Sequence, residues 1–217
     1  MTIKIHGLPY SSYTCTVLMT CIEKGAPFEL DATGLSPISG ARKRPHIDRH
    51  PFGRIPAIED GDFQLFETSA ICRYIDEKFD GPNLVPAGMH DRALMEQWIS
   101  AINSYLDESF IRRFVLQYAF PRGENGQPDR AAIDAAIPGV RRSLRILNRY
   151  YGKAGYLVAD SLTLADIFLA PILFYLGRTP EGPDLLRKAP SVERGLKVIS
   201  ERASFVETFR SSKADWS

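Results

Sequence analysis

The sequence predicts an α/β domain followed by an all-α-helical domain, and three observations lead there. Residues 2–31 read strand, helix, strand, and residues 55–79 read strand, tight turn, strand, helix. Asp80-Gly-Pro-Asn-Leu-Val-Pro-Ala-Gly88 is a linker by composition. After it the apolar pattern is helical throughout. We therefore divide the chain into a first domain over 1–80, a linker over 81–88 and a helical domain over 89–217.

Thr2-Ile-Lys-Ile-His6 alternates as a strand does, and Gly7-Leu8-Pro9 ends it. Ser11, Ser12 and Thr14 are candidate caps for a helix in which Val17, Leu18, Cys21 and Ile22 recur at helical spacing, with Gly25 as its stop. Phe28–Asp31 is a second short strand, which completes a βαβ unit. Thr33–His50, rich in Gly, Pro, Ser and basic residues, reads as a loop with one short irregular helix at most. Ile55–Ile58 and Phe63–Phe66 flank the Asp60-Gly61 signal of a hairpin, and a helix from about Thr68 to Phe79 sets Ile71, Ile75 and Phe79 on one face.

In the second half Leu94, Trp98, Ala101 and Tyr105 line one helix face, and Gly123–Pro128 is a break. Ile133, Ile137, Val140, Leu144, Leu147 and Tyr151 follow at four-three spacing, with Pro138 as a candidate kink. Thr163-Leu-Ala-Asp166 is a cap-plus-acid pattern opening an apolar helix from Ile167 to Leu176. Ser191–Arg202 is the last helix expected, with Val192, Leu196 and Ile199 inward. No internal repeat or low-complexity tract interrupts this order.

Bulk properties exclude several function classes. A net charge near +1 in 217 residues gives no electrostatic reason to expect nucleic acid or an anionic membrane as a partner. No window approaches a membrane span, and the amino terminus lacks signal architecture. Three cysteines without a CxxC pair fit a reduced, cytoplasmic setting. His6, His46, His50 and His90 show no metal-ligand spacing, so no metal is expected.

The stretch Pro51–Ile71 carries the chemistry. The residue before a proline is pushed into extended geometry. Glu67-Thr68-Ser69 supplies oxygens where a helix begins, and helix N-termini collect anions. Apolar residue, proline, Asp-Gly hairpin, Glu-(Ser/Thr) and Ala-Ile together resemble the glutathione-binding core of the cytosolic glutathione transferases. Gly7-x-Pro9-x-Ser11-x-x-Thr14 and Pro51-Phe-Gly-Arg-Ile-Pro56 most resemble the phi-like, serine-type members. The resemblance extends over nearly the whole chain and implies a thioredoxin-like first domain, glutathione as co-substrate and a homodimer.

It also implies site residues. Pro56 is expected in cis, Ile55 to pair its backbone with the cysteinyl part of glutathione, and Glu67 with Thr68 to hold the γ-glutamyl end. Arg54 stands where the family usually has glutamine. Ser11 is expected to hydrogen-bond the sulfur, with Ser12 and Tyr10 as rivals; the bland alternative is that Ser11 merely caps its helix. Arg42 and Lys43 are candidates for the glycine carboxylate. Cys15 is read as a packed thiol, and Thr163 and Asp166 as scaffold. Phe52 is a candidate for insertion into a partner subunit. Tyr10, Ser12, Leu35, Phe114, Tyr118 and Phe168 are candidates for an electrophile pocket between the domains. The expected reaction is attack of the glutathione thiolate on a small electrophile by addition or displacement. Glutathione-dependent peroxide reduction, dehalogenation, isomerisation and a non-catalytic binding module are the alternatives.

Overall fold

A computed structural model describes residues 2–36 and 44–210. Its first unit is built on a four-stranded mixed sheet in the order β2-β1-β3-β4, from β1 (Ile3–His6), β2 (Phe28–Asp31), β3 (Ala57–Asp60) and β4 (Phe63–Phe66). β1 runs parallel to β2 and antiparallel to β3, and β3 pairs antiparallel with β4. This is the thioredoxin-like arrangement expected. α1 (Ser12–Lys24) is the crossover between β1 and β2, and α3 (Thr68–Lys78) follows β4. Ile3, Ile5, Ile58, Ile71, Ile75, Val17 and Cys21 are wholly buried and form the core shared by sheet and helices. Gly25 closes α1 in the left-handed region (φ 62°), where a side chain would be strained.

The other sheet face is polar and belongs to the short α2 (His46–Arg49), the one irregular helix expected in the loop. Its Arg49 Nε donates to Glu59 at 2.6 Å, while Glu59 and Asp31 flank the buried His6 at 3.1 and 3.5 Å. Burial lowers the pKa of His6, partly opposed by the Glu59 hydrogen bond.

The chain divides into two compact units, one running to Val85 and taking in Ala203–Arg210, the other Pro86–Arg202. Their boundary falls inside the 81–88 linker. The last helix, α10 (Ala203–Phe209), packs on α1, and its Ser204 Oγ donates to Glu23. In the first unit Lys24 and Asp76 form a buried ion pair at 3.0 Å. Lys24 also donates to the Pro82 carbonyl, and Asp76 accepts the Leu84 N–H, so the pair holds the linker against the unit.

The second unit is helical: α4 (Met89–Ala101), a wide π-helical stretch (Ile102–Val115), α5 (Leu116–Ala119), α6 (Arg130–Tyr150), α7 (Leu164–Gly177), α8 (Gly182–Arg187) and α9 (Pro190–Ser200). A short 3-10 turn, Glu124–Gly126, occupies the expected break. The face read from Leu94, Trp98 and Tyr105 does not turn inward as a whole: Trp98 is buried, but Leu94 and Tyr105 are 45% and 72% exposed. The buried strip is instead Ile102, Leu106, Phe110 and Phe114, with Asp107, Ile111 and Val115 beside them, a spacing of four to five that suits the wider helix. Arg112–Asp107 and Arg113–Glu108 pair five residues apart, as that geometry requires. α6 runs through Pro138. α7 is buried along nearly its whole length. Asp166 in its first turn accepts from Leu157 N (2.7 Å), Thr163 N (2.9 Å) and Thr163 Oγ (2.9 Å), which makes it scaffold, as read.

Candidate active site

Strand register brings the predicted residues to one end of the sheet. His6 lies opposite Ala57, and Ala57 opposite Phe66, so the chain just past each pairing forms a row: Gly7, Pro56 and Glu67. The Gly7–Ser11 loop leads into α1 and Glu67 into α3, so two helix N-termini open at the same end. Their free N–H groups and dipoles make this end favourable for anions.

Ser11 is the N-cap residue of α1, with extended backbone (φ −75°, ψ 126°), and its hydroxyl makes no cap hydrogen bond. Its backbone is fixed from both sides, N–H to Leu8 O at 3.0 Å and carbonyl from Cys15 N at 2.8 Å. The hydroxyl is thus positioned without being engaged in capping. Thr14 packs so closely on Gly7 that a Cβ there would stand 2.5 Å from Thr14 Oγ1, which explains the glycine in the motif. Cys15 is buried, and its thiol donates to Pro9 O at 3.3 Å. Tyr10 is half exposed beside Ser11, and Ser12 opens α1 with its carbonyl receiving Thr16 Oγ1.

The Ile55–Pro56 peptide is cis, with Pro56 buried and Ile55 half-buried. Arg54 is exposed, and its carbonyl accepts from His46 Nε2 at 2.6 Å. Glu67 is exposed and holds φ at 72°, a region non-glycine residues seldom occupy, immediately before the buried Thr68. The Glu67 side chain does not cap α3, so its carboxylate is left for other partners. Arg42 and Lys43 lie outside the described residues.

The electrophile-pocket candidates divide between the units. Tyr10, Ser12 and Leu35 belong to the first; Phe114, Tyr118 and Phe168 belong to the second. Phe114 and Phe168 are core residues, 0% and 2% exposed. Tyr118 meets Phe114 edge to face at 5.8 Å, and its hydroxyl is held by Glu181, which also binds Arg130.

Sequence reading passes over His46 and His50. Their rings stack at 6.3 Å, and His50 lies 4.9 Å from the Phe66 ring, just ahead of Glu67. Their spacing of four between Pro45 and Pro51 is the signal that sets them on one side of the short helix. No cluster of three or more His, Cys, Asp or Glu among the described residues is arranged to hold a metal ion.

Comparison with known proteins decides the family. The glutathione S-transferase N-terminal domain model matches residues 5–83, and the glutathione S-transferase C-terminal domain model residues 109–203. Glutathione S-transferase F6 of Arabidopsis thaliana is 31% identical over 204 residues, covering 93% of this chain and 96% of its own. The chain belongs to the glutathione S-transferase family. Its structure superposes on glutathione transferase F2 from Populus trichocarpa with a TM-score of 0.85 at 29% identity, covering 96% of this chain and 97% of that one. Glutathione S-transferase I from maize, solved with an atrazine glutathione conjugate, gives 0.83 at 25% identity over 95% of each. The phi-like resemblance of the glutathione S-transferase motifs at 7–18 and 51–56 accords with these relatives. No helix among the described residues is long and apolar enough to cross a membrane.

Proposed function

We propose that this glutathione transferase activates the thiol of glutathione with the Ser11 hydroxyl and delivers the thiolate to a small hydrophobic electrophile, by addition or displacement. The observation that carries the assignment is the Ser11 hydroxyl at the start of α1, which is not used in capping, on the sheet end that also holds cis-Pro56 and Glu67. An isolated thiol titrates near ~8.5, so ionisation at neutral pH needs a donor for the anion. Ser11 supplies one, and the dipole of α1 acts in the same sense. The thiol proton passes to solvent while the hydroxyl keeps its own and stabilises the sulfur; the sulfur pair forms the new C–S bond, and the displaced pair leaves with the leaving group or, in an addition, takes a proton from water.

The rest of the peptide has matching partners in this reading. The Ile55 backbone pairs with the cysteinyl part. At the γ-glutamyl end the ammonium meets the Glu67 carboxylate, and the carboxylate meets Thr68 at the α3 N-terminus. Arg54, Arg42 and Lys43 serve the glycine carboxylate. The electrophile is received beside Tyr10 and Ser12, with Leu35 as the further candidate on the first unit; Phe114 and Phe168, closed in the helical core, drop out of that role. No metal takes part in this scheme. A homodimer fits the exposed apolar side chains, Phe52 on the first unit and Leu94, Tyr105 and Tyr150 on the second. Three free, buried cysteines suit the cytoplasm.

The test is calorimetry with glutathione on the native protein and on Ser11→Ala, paired with turnover of an aryl halide. The variant is expected to keep glutathione binding and lose about 10–100-fold in kcat/KM, the worth of one charge-assisted hydrogen bond. A variant with native turnover would move the donor role to Ser12 or Tyr10. A native chain that does not bind glutathione would refute the reading.

A further inference from the structure

Two buried histidines adjoin the backbone that the reading above assigns to glutathione. We propose that His46 is a positioning residue: it orients the Ile55 peptide toward the cysteinyl part of glutathione, and His50 supports it by packing. The inference rests on glutathione occupying this site.

The geometry begins at the sheet. Glu59 of β3 holds Arg49 at 2.6 Å, which ties α2 to the sheet and with it the His46 side chain one turn earlier. His46 Nε2 reaches the Arg54 carbonyl at 2.6 Å. A carbonyl only accepts, so Nε2 carries a proton in this bond. Nδ1 has no hydrogen-bond partner among the described residues, so the bond to Arg54 is the side-chain hydrogen bond that fixes this ring. The Arg54–Ile55 peptide is planar and trans, so its N–H points opposite to its carbonyl. Holding the Arg54 oxygen toward the buried imidazole therefore turns the Ile55 N–H away from it. That group lies next to the cis bond to Pro56, where the cysteinyl backbone is proposed to pair.

His50 closes the arrangement from the other side. Its backbone N–H bonds His46 O at 2.9 Å, and its ring packs between His46 and Phe66, with Phe52 at its edge. Phe66 is followed directly by Glu67 and its unusual φ. The two rings thus support both glutathione segments, 54–56 through a hydrogen bond and 66–68 through packing. Phenylalanine at 46 would fill the space equally well but supply no donor.

The test compares the native protein with His46→Phe, which keeps a ring and loses the donor, and His46→Gln, which keeps an N–H donor. His46→Phe is expected to raise Kd and KM for glutathione about five-fold, the effect of one neutral hydrogen bond, with kcat and the aryl halide KM within about two-fold of native. His46→Gln is expected to recover most of the loss. Unchanged glutathione affinity in a folded His46→Phe, or equal losses in both variants, would overturn the proposal. Nitrogen-15 spectra of the native imidazoles give a check that needs no variant: the Nε2–H tautomer is expected at His46, and the Nδ1–H tautomer would overturn it. If native glutathione binding is intact while His46→Phe is silent, only this inference falls. If the native chain does not bind glutathione, the functional reading falls and this with it.

Discussion

Glu67 combines a φ of 72° with a charge that its own helix does not use. A strained non-glycine residue persists where its side chain serves something other than stability. Replacing it separates the two effects: Glu67→Gly is expected to stabilise the fold by about 1 kcal/mol while raising KM for glutathione about ten-fold or more. Thermal melts and steady-state kinetics on one preparation check both signs, and parallel losses would remove the ligand role. The place of Glu67-Thr68 between β4 and α3 was legible because the pair follows a hairpin at fixed spacing. The backbone angle was not, since nothing in a glutamate announces φ above zero. The His46–Arg54 contact was not legible for a related reason: its acceptor is a backbone carbonyl, and carbonyls leave no mark in a sequence.

Among the elements, α1 begins after Ser11, the proposed thiolate donor, and is anchored at Lys24. Lys24 and Asp76 are an ion pair with both side chains at least nine-tenths buried. Leaving one buried charge alone costs far more than the pair contributes. Lys24→Met is expected to lower stability by about 3–5 kcal/mol and to expose residues 80–85 to protease. Denaturant melts and limited proteolysis read the two effects, and a protected linker would show that Pro82 and Leu84 are held by something else. Strands and long helices were readable because their burial has one clean period. The π-helical stretch was not, because its inward strip recurs every four to five residues and blurs into an ordinary helix over two turns. α8 and α10, six and seven residues long, offer too few repeats to rise above their surroundings.

On the scale of the whole molecule, apolar surface remains on both units. The turn closed by Gly53 N–H to His50 O carries Phe52 at its tip, 72% exposed. Phe52→Ser is expected to weaken self-association at least ten-fold, read by sedimentation, with each chain still folded. A native chain that sediments as a monomer would refute the homodimer. The division into an α/β part and a helical part followed from composition alone, because a Gly- and Pro-rich linker separates two different periodicities. Composition could not show that the chain crosses back: α10 sits next to α9 in sequence yet packs on α1. A ribosome makes α1 some 180 residues before it makes Phe205 and Phe209, which are buried with it. α1 therefore waits, with one face uncovered, until α10 leaves the exit tunnel. Whatever guards nascent chains has that face to shield while the intervening residues are made.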